Sequence, residues 1–161
     1  MAMLNRSLPA LVVALFALPF SSAAQPLACP AASTLVQIAP CPSLDQLRAG
    51  FLGYCGDNAR MLDGDRVTCA SFENYLRLKN TARWESADGR FEGYLSCQPG
   101  TAAVTTLGPA AMTIARRGNI TRVVCNYGDD AALTHRTRAR CTVADPAACA
   151  ADPAACRANC Q

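Results

Sequence analysis

A chain of 161 residues, 51% of them hydrophobic, is long enough for one domain with its own core and too short for several. Its formal charge of +3 is too small an excess to argue for nucleic acid or an anionic bilayer as partner. The hydrophobic share is raised by alanine and by the N-terminal stretch, which leaves a smaller core than the percentage suggests.

The chain opens with Arg6, then an apolar run from Leu8 to Phe20, then Ser21, Ser22, Ala23 and Ala24. That order predicts a secretory leader over residues 1–24, cut after Ala24, with the mature chain starting at Gln25. The run covers 13 residues, where a spanning helix needs about 20. Pro9 and Pro19 break it further. Lipidation at Cys29 calls for leucine three residues upstream, and Pro26 stands there. No later stretch is apolar enough to span a bilayer, so the expectation is a secreted or periplasmic protein without a transmembrane segment once the leader is gone. Arginine far outnumbers the single lysine, Lys79, and with abundant alanine this reads as GC-rich bacterial coding.

All ten cysteines follow the cut: Cys29, Cys41, Cys55, Cys69, Cys97, Cys125, Cys141, Cys149, Cys156 and Cys160. An even, dense set in a small exported chain predicts a disulfide framework. A zinc site would need close pairs such as C-x2-C, and none occurs. Position suggests Cys55–Cys69 around a turn and Cys97–Cys125 on neighbouring strands. The last three cysteines would pair among themselves or with the body.

Residues 25–42 read as an N-terminal linker punctuated by Pro26, Pro30 and Pro40. Ser43 followed by Gln46 is a capping-box pattern. Leu44, Leu47, Phe51 and Tyr54 recur at helical spacing, and Gly50 limits the predicted helix to 44–50. Asp63-Gly64-Asp65 between two short apolar pieces predicts a hairpin that Cys55–Cys69 would clamp. Residues 72–79 fit a helix or a strand.

The second half reads as β. Asp88-Gly89 joins Trp84–Ala87 to Arg90–Cys97 as a hairpin. Residues 98–109 read as loop. Met112–Ala115, a turn over Arg116–Asn119, Ile120–Tyr127, a turn over Gly128–Asp130 and Leu133–Thr142 then form a meander. Thr121, Val123, Cys125 and Tyr127 share one face, as do Leu133, His135, Thr137, Ala139 and Cys141, which predicts a sheet with one wet side. In the final stretch Asp145-Pro146 and Asp152-Pro153 each begin a short helical turn, with Asp as N-cap and Pro in the first position. The predicted class is mainly β, or α+β: a small antiparallel sheet with a short N-terminal helix and a disulfide-rich tail. The single β-rich domain spans 43–142 and the tail 143–161.

No residue set forms a catalytic or cofactor motif. His135, the lone histidine, lacks a nucleophile with an orienting carboxylate, and reads as a packed strand residue. Asp57, Asp63 and Asp65 do not match a calcium loop and are explained by turn chemistry. Glu73, Glu85, Asp88 and Glu92 offer carboxylates for a glycoside-cleaving pair, a pattern any sequence supplies. Asn119-Ile120-Thr121 fits a glycosylation sequon. Arg136, Arg138 and Arg140 alternate along a strand and, with Arg116, Arg117 and Arg122, form a candidate basic face for an acidic protein or glycan. The competing reading is a solvated strand face.

Cys41-Pro42, Trp84, Gly118 and Cys125-Asn126-Tyr127 together resemble the pattern of a family of small secreted bacterial proteins of unknown function. The resemblance covers roughly 41–140 and implies secretion and a compact β-rich domain, with no activity attached. The extra cysteine-rich tail departs from it. The Cys55–Cys69 interval also resembles a stretch of cyanovirin-like lectins, which the segment after Cys69 does not continue. The functional expectation is a non-enzymatic binding or inhibitory module. The alternatives are a carboxylate-dependent hydrolase and an envelope protein linked through its tail cysteines.

Overall fold

The computed structural model describes residues 26–98, 100–128 and 131–161, with the backbone alone for residues 63 and 101. The expected leader, residues 1–24, and the Asp129-Asp130 part of the expected turn lie outside them. Among the described residues nine strands form two antiparallel sheets, so the molecule is mainly β. The large sheet runs in the order β2 (Leu35–Gln37), β3 (Thr81–Ser86), β4 (Glu92–Ser96), β7 (Ala132–Thr137), β6 (Ile120–Asn126), β5 (Ala111–Arg117). The small one places β9 (Arg157–Cys160) between β1 (Leu27–Ala28) and β8 (Cys141–Val143).

Alternation decides which side of the large sheet is buried. Ala82, Trp84 and Ser86 of β3, Thr121, Val123 and Cys125 of β6, and Leu133 of β7 all point inward and are buried. Phe91, Leu95 and Tyr127 join them. Leu27, Cys156 and Ala158 of the small-sheet side complete the same core. Burying side chains such as Phe91, Leu95 or Leu133 contributes about 1.5–3 kcal/mol each. The opposite face of the large sheet carries Arg83, Tyr94, Arg122 and Arg136, all exposed.

Two hairpins form where the turn residues indicate. Gly89 (φ 69°) follows Asp88 between β3 and β4, and Gly118 (φ 57°) turns β5 into β6. Both sit in the left-handed region that glycine adopts without strain. Residues 98–109 are less irregular than expected: Thr101–Val104 form a helical turn, α4 below, that buries Val104.

Between β2 and β3 lies a helical insert. It holds α1 (Leu44–Cys55), a π-helical turn (Arg60–Gly64), α2 (Arg66–Cys69) and α3 (Phe72–Lys79). The capping box forms: Ser43 N donates to Gln46 Oε1 (2.8 Å) and Gln46 N to Ser43 Oγ (3.2 Å). The helix it starts continues five residues past its expected end at 50. Packing overrides the glycine penalty. Phe51 meets the Phe72 and Tyr75 rings at 5.5 Å each, and a Cβ on Gly50 would stand 2.6 Å from the Tyr75 hydroxyl. The hairpin expected between Cys55 and Cys69 is absent. Asp63-Gly64 closes a helical turn instead, and Asp65 accepts from Tyr54 Oη and Thr68 Oγ1, both at 2.6 Å. Residues 72–79 resolve to helix, with Ser71 as cap.

All ten cysteines are paired. Cys55–Cys69 pairs as expected. Cys97 and Cys125 do not pair with each other. Cys29 takes Cys125 and Cys41 takes Cys97, because the segment expected as a linker is built into the sheets and brings two more sulfurs with it. The tail also belongs to the fold. Asp145 caps α5 (Pro146–Ala151), Asp152 caps the 3-10 turn Pro153–Ala155, and Cys149–Cys156 joins them. Cys141–Cys160 then links β8 to β9 across a registered pair.

Candidate binding face

The expected strand Leu133–Thr142 stops at Thr137, and the chain re-forms as β8 in the other sheet. This break separates the three arginines. Arg136 stands on the outer face of β7, whereas Arg138 and Arg140 lie in the connection between the sheets. Arg140 bonds through its backbone to Gln161. Arg116 points to the other side, where its guanidinium donates to Thr121 Oγ1 at 3.1 Å. Arg122 is on the outer face, directly opposite Arg136 in the β6–β7 register.

An ion-pair chain crosses the same face. Arg83 donates to Glu85 (2.6 Å) and Glu92 (2.9 Å), and Arg136 reaches Glu92 at 3.3 Å. Arg122 has no acidic partner among the described residues. Glu85 and Glu92, two of the candidate acids, are cross-strand neighbours shared by Arg83. Glu73 is exposed on α3, and Asp88 sits in the β3–β4 turn. These four carboxylates do not gather around one cavity. Solvent-exposed pairs of this kind contribute about 0–1 kcal/mol each, so the chain positions side chains more than it holds the fold.

Between β4 and β7 the ladder is short. A single registered pair, Glu92 with Thr134, joins the strands. A Cβ on Gly93 would collide with the Ala132 carbonyl, so glycine is what lets the two backbones approach there. A groove of about 370 Å³ runs over this seam, lined by Arg83, Glu92, Gly93, Tyr94, Thr134 and Arg136 among others. On the far side of Tyr94 a second groove of about 600 Å³ runs to α3 past Thr81, Ser96, Gln98 and Arg77. Tyr94 divides them and is 69% exposed.

The remaining candidates have local roles. His135 Nδ1 donates to the Arg90 carbonyl (2.9 Å) and the ring packs on Phe91. Asp57 accepts from Ala59 N and pairs with Arg60. Asp65 accepts from Thr68 and Tyr54, hydrogen bonds that lower its pKa, while the bond to Asp65 raises that of the Tyr54 hydroxyl. Asn119 lies exposed in the β5–β6 turn. The tail cysteines are paired within the chain, which leaves no thiol there to bridge a second one. On the helical insert Leu52, Leu62 and Val67 are each at least 60% exposed. Arg83 and Tyr94 were not singled out by sequence reasoning. The usable signal was phase: Tyr94 falls out of step with buried Phe91 and Leu95 and so belongs on the wet side.

No family model, no curated protein and no solved structure matches the chain. What fold and site define is a class: a disulfide-stabilised protein of two antiparallel sheets, one of which presents an open face with arginines and a tyrosine. No helix among the described residues is long and apolar enough to cross a membrane.

Proposed function

We propose that the protein is an exported, non-enzymatic binding module that takes an anionic partner on the outer face of its six-stranded sheet. One observation carries the reading: Arg122 and Arg136 stand directly opposite each other on an exposed face, where Glu92 pairs with Arg136 and Arg122 has no acidic partner among the described residues. Like charges opposite each other across strands destabilise a sheet. An anion lying between the two guanidiniums removes that repulsion and gains charge-assisted hydrogen bonds. The leader-like N-terminus and five disulfides support export into an oxidising compartment.

The test is retention of the purified full chain on immobilised polyanions: heparin, polyglutamate and polyphosphate. Retention at low salt that falls as salt screens the charges is expected. Arg122→Ala and Arg136→Ala should each weaken binding by about tenfold, the equivalent of 1.4 kcal/mol. Arg48→Ala on the helical insert should change nothing. Absence of retention on every matrix, or retention indifferent to Arg122 and Arg136, overturns the reading.

A further inference from the structure

We infer that the anionic partner is an acidic polysaccharide, lying across the outer face with a sugar ring on Tyr94 and its carboxylate or sulfate groups on Arg136 and Arg122. This rests on the binding-face reading above and narrows its ligand. Tyr94 belongs to β4, an interior strand of the six, yet the residue is 69% exposed. Pyranose rings present an apolar face of C–H groups, and an exposed aromatic ring is the flat, rigid surface that such a face covers. The small neighbours Gly93 and Ala132 line the groove beside it.

Around the ring stand groups that match sugar hydroxyls. Glu92 accepts, Arg83 donates, and Thr134, Thr81, Ser96 and Gln98 can do both. A few placed polar groups around an aromatic surface are the usual make-up of a small-ligand site. Spacing sets the ligand's length. Tyr94 and Arg136 lie on opposite sides of the Glu92–Thr134 pair. Their rows are four residues apart, about 13 Å at the strand rise. One monosaccharide cannot touch both, whereas consecutive rings of a chain can. The second groove, past Tyr94 toward Arg77 and Gln98, takes the chain onward. A bare polyanion would use the arginines and leave Tyr94 idle.

The experiment measures binding of the full chain, by calorimetry at fixed low salt, to two sets of probes. One set is acidic oligosaccharides from polygalacturonate, alginate and chondroitin sulfate. The other is polyphosphate, polyglutamate and a neutral dextran oligosaccharide. Because Tyr94 is exposed, Tyr94→Ala and Tyr94→Phe should keep the wild-type melting curve. At least one acidic oligosaccharide should bind, weakened about tenfold by Tyr94→Ala, held by Tyr94→Phe and weakened by Arg122→Ala. The other probes should bind less tightly and ignore Tyr94. Equal binding of polyphosphate or polyglutamate, or an acidic oligosaccharide indifferent to Tyr94→Ala, overturns the polysaccharide and leaves the basic face standing. Binding of the neutral sugar alone, or of no probe at all, overturns both.

Discussion

Asp88 shows how much a single turn residue settles. Its carboxylate accepts from Ser86 Oγ (2.6 Å), Arg90 N (3.1 Å) and Arg90 Nε (2.6 Å), and Phe91 N in turn donates to Ser86 Oγ. The Ser86 hydroxyl first, then Arg90, hold its pKa at about 2, below an ordinary 3.8. A carboxyl depressed on folding stabilises the protein above its unfolded pKa, and that contribution fades as pH falls through the folded one. The Asp88 contribution is therefore present above pH 3.8 and lost on the way down to about 2. Wild type and Asp88→Asn compared in urea should differ at pH about 5 and converge near pH 2; a difference that persists in acid would mean the carboxylate does not act through its charge. The hairpin was legible from Asp88-Gly89 because turn chemistry is local. Tyr94 and Arg83 were not read as a site, since their meaning depends on which strand lies beside them.

Among the elements, the helical insert departs furthest from its sequence. Asp-Gly between short apolar pieces signals a hairpin, but here the flanking residues found helical partners in α1 and α3. The insert has its own aromatic cluster of Phe51, Tyr54, Phe72 and Tyr75, and none of these joins the core between the sheets. Cys55–Cys69 closes a short loop, with a sequence separation of 14. Closing a loop of that size contributes about 3 kcal/mol by restricting the unfolded chain. Replacing both cysteines with alanine should therefore raise amide exchange across α1–α3 while β6 stays protected. A rise spread evenly over both would show that insert and sheets unfold as one unit. Exposed Leu52, Leu62 and Val67 explain why hydrophobic spacing gave little guidance here: several apolar residues of the insert do not face its core.

Across the whole molecule, the two ends of the described chain are fastened to each other. Leu27 pairs with Ala158, so β1 and β9 meet in the small sheet. Cys29 then crosses to Cys125 on β6 of the large one, over a separation of 96 residues. Loop-closure entropy grows with the logarithm of length, so this bridge contributes about 4–5 kcal/mol against about 2.5 for a loop the size of Cys149–Cys156. Denaturant unfolding of the two double-alanine variants should show that order; equal losses would mean that strain or packing outweighs the loop term. Tyr127 makes a third long-range tie: its hydroxyl donates to the Pro30 carbonyl (2.6 Å), and burial pushes its pKa up to about 12.

Sequence alone determined the features that depend on near neighbours: the caps at Ser43, Asp145 and Asp152, the Asp88-Gly89 turn, a turn within Arg116–Asn119 that the structure narrows to Gly118-Asn119, the buried face Thr121, Val123, Cys125 and Tyr127, and a predominantly β class. Each is fixed by backbone preference or by the two-residue period of a strand. Tertiary structure decided what depends on distant neighbours. It set the partners of Cys29, Cys41, Cys97 and Cys125, built the N-terminal segment and the tail into sheets, and ended β7 at Thr137 so that Arg138 and Arg140 left the face that Arg136 keeps. Strand pairing is non-local, and a two-residue strand such as Leu27–Ala28 exists only because β9 is there to bond with it.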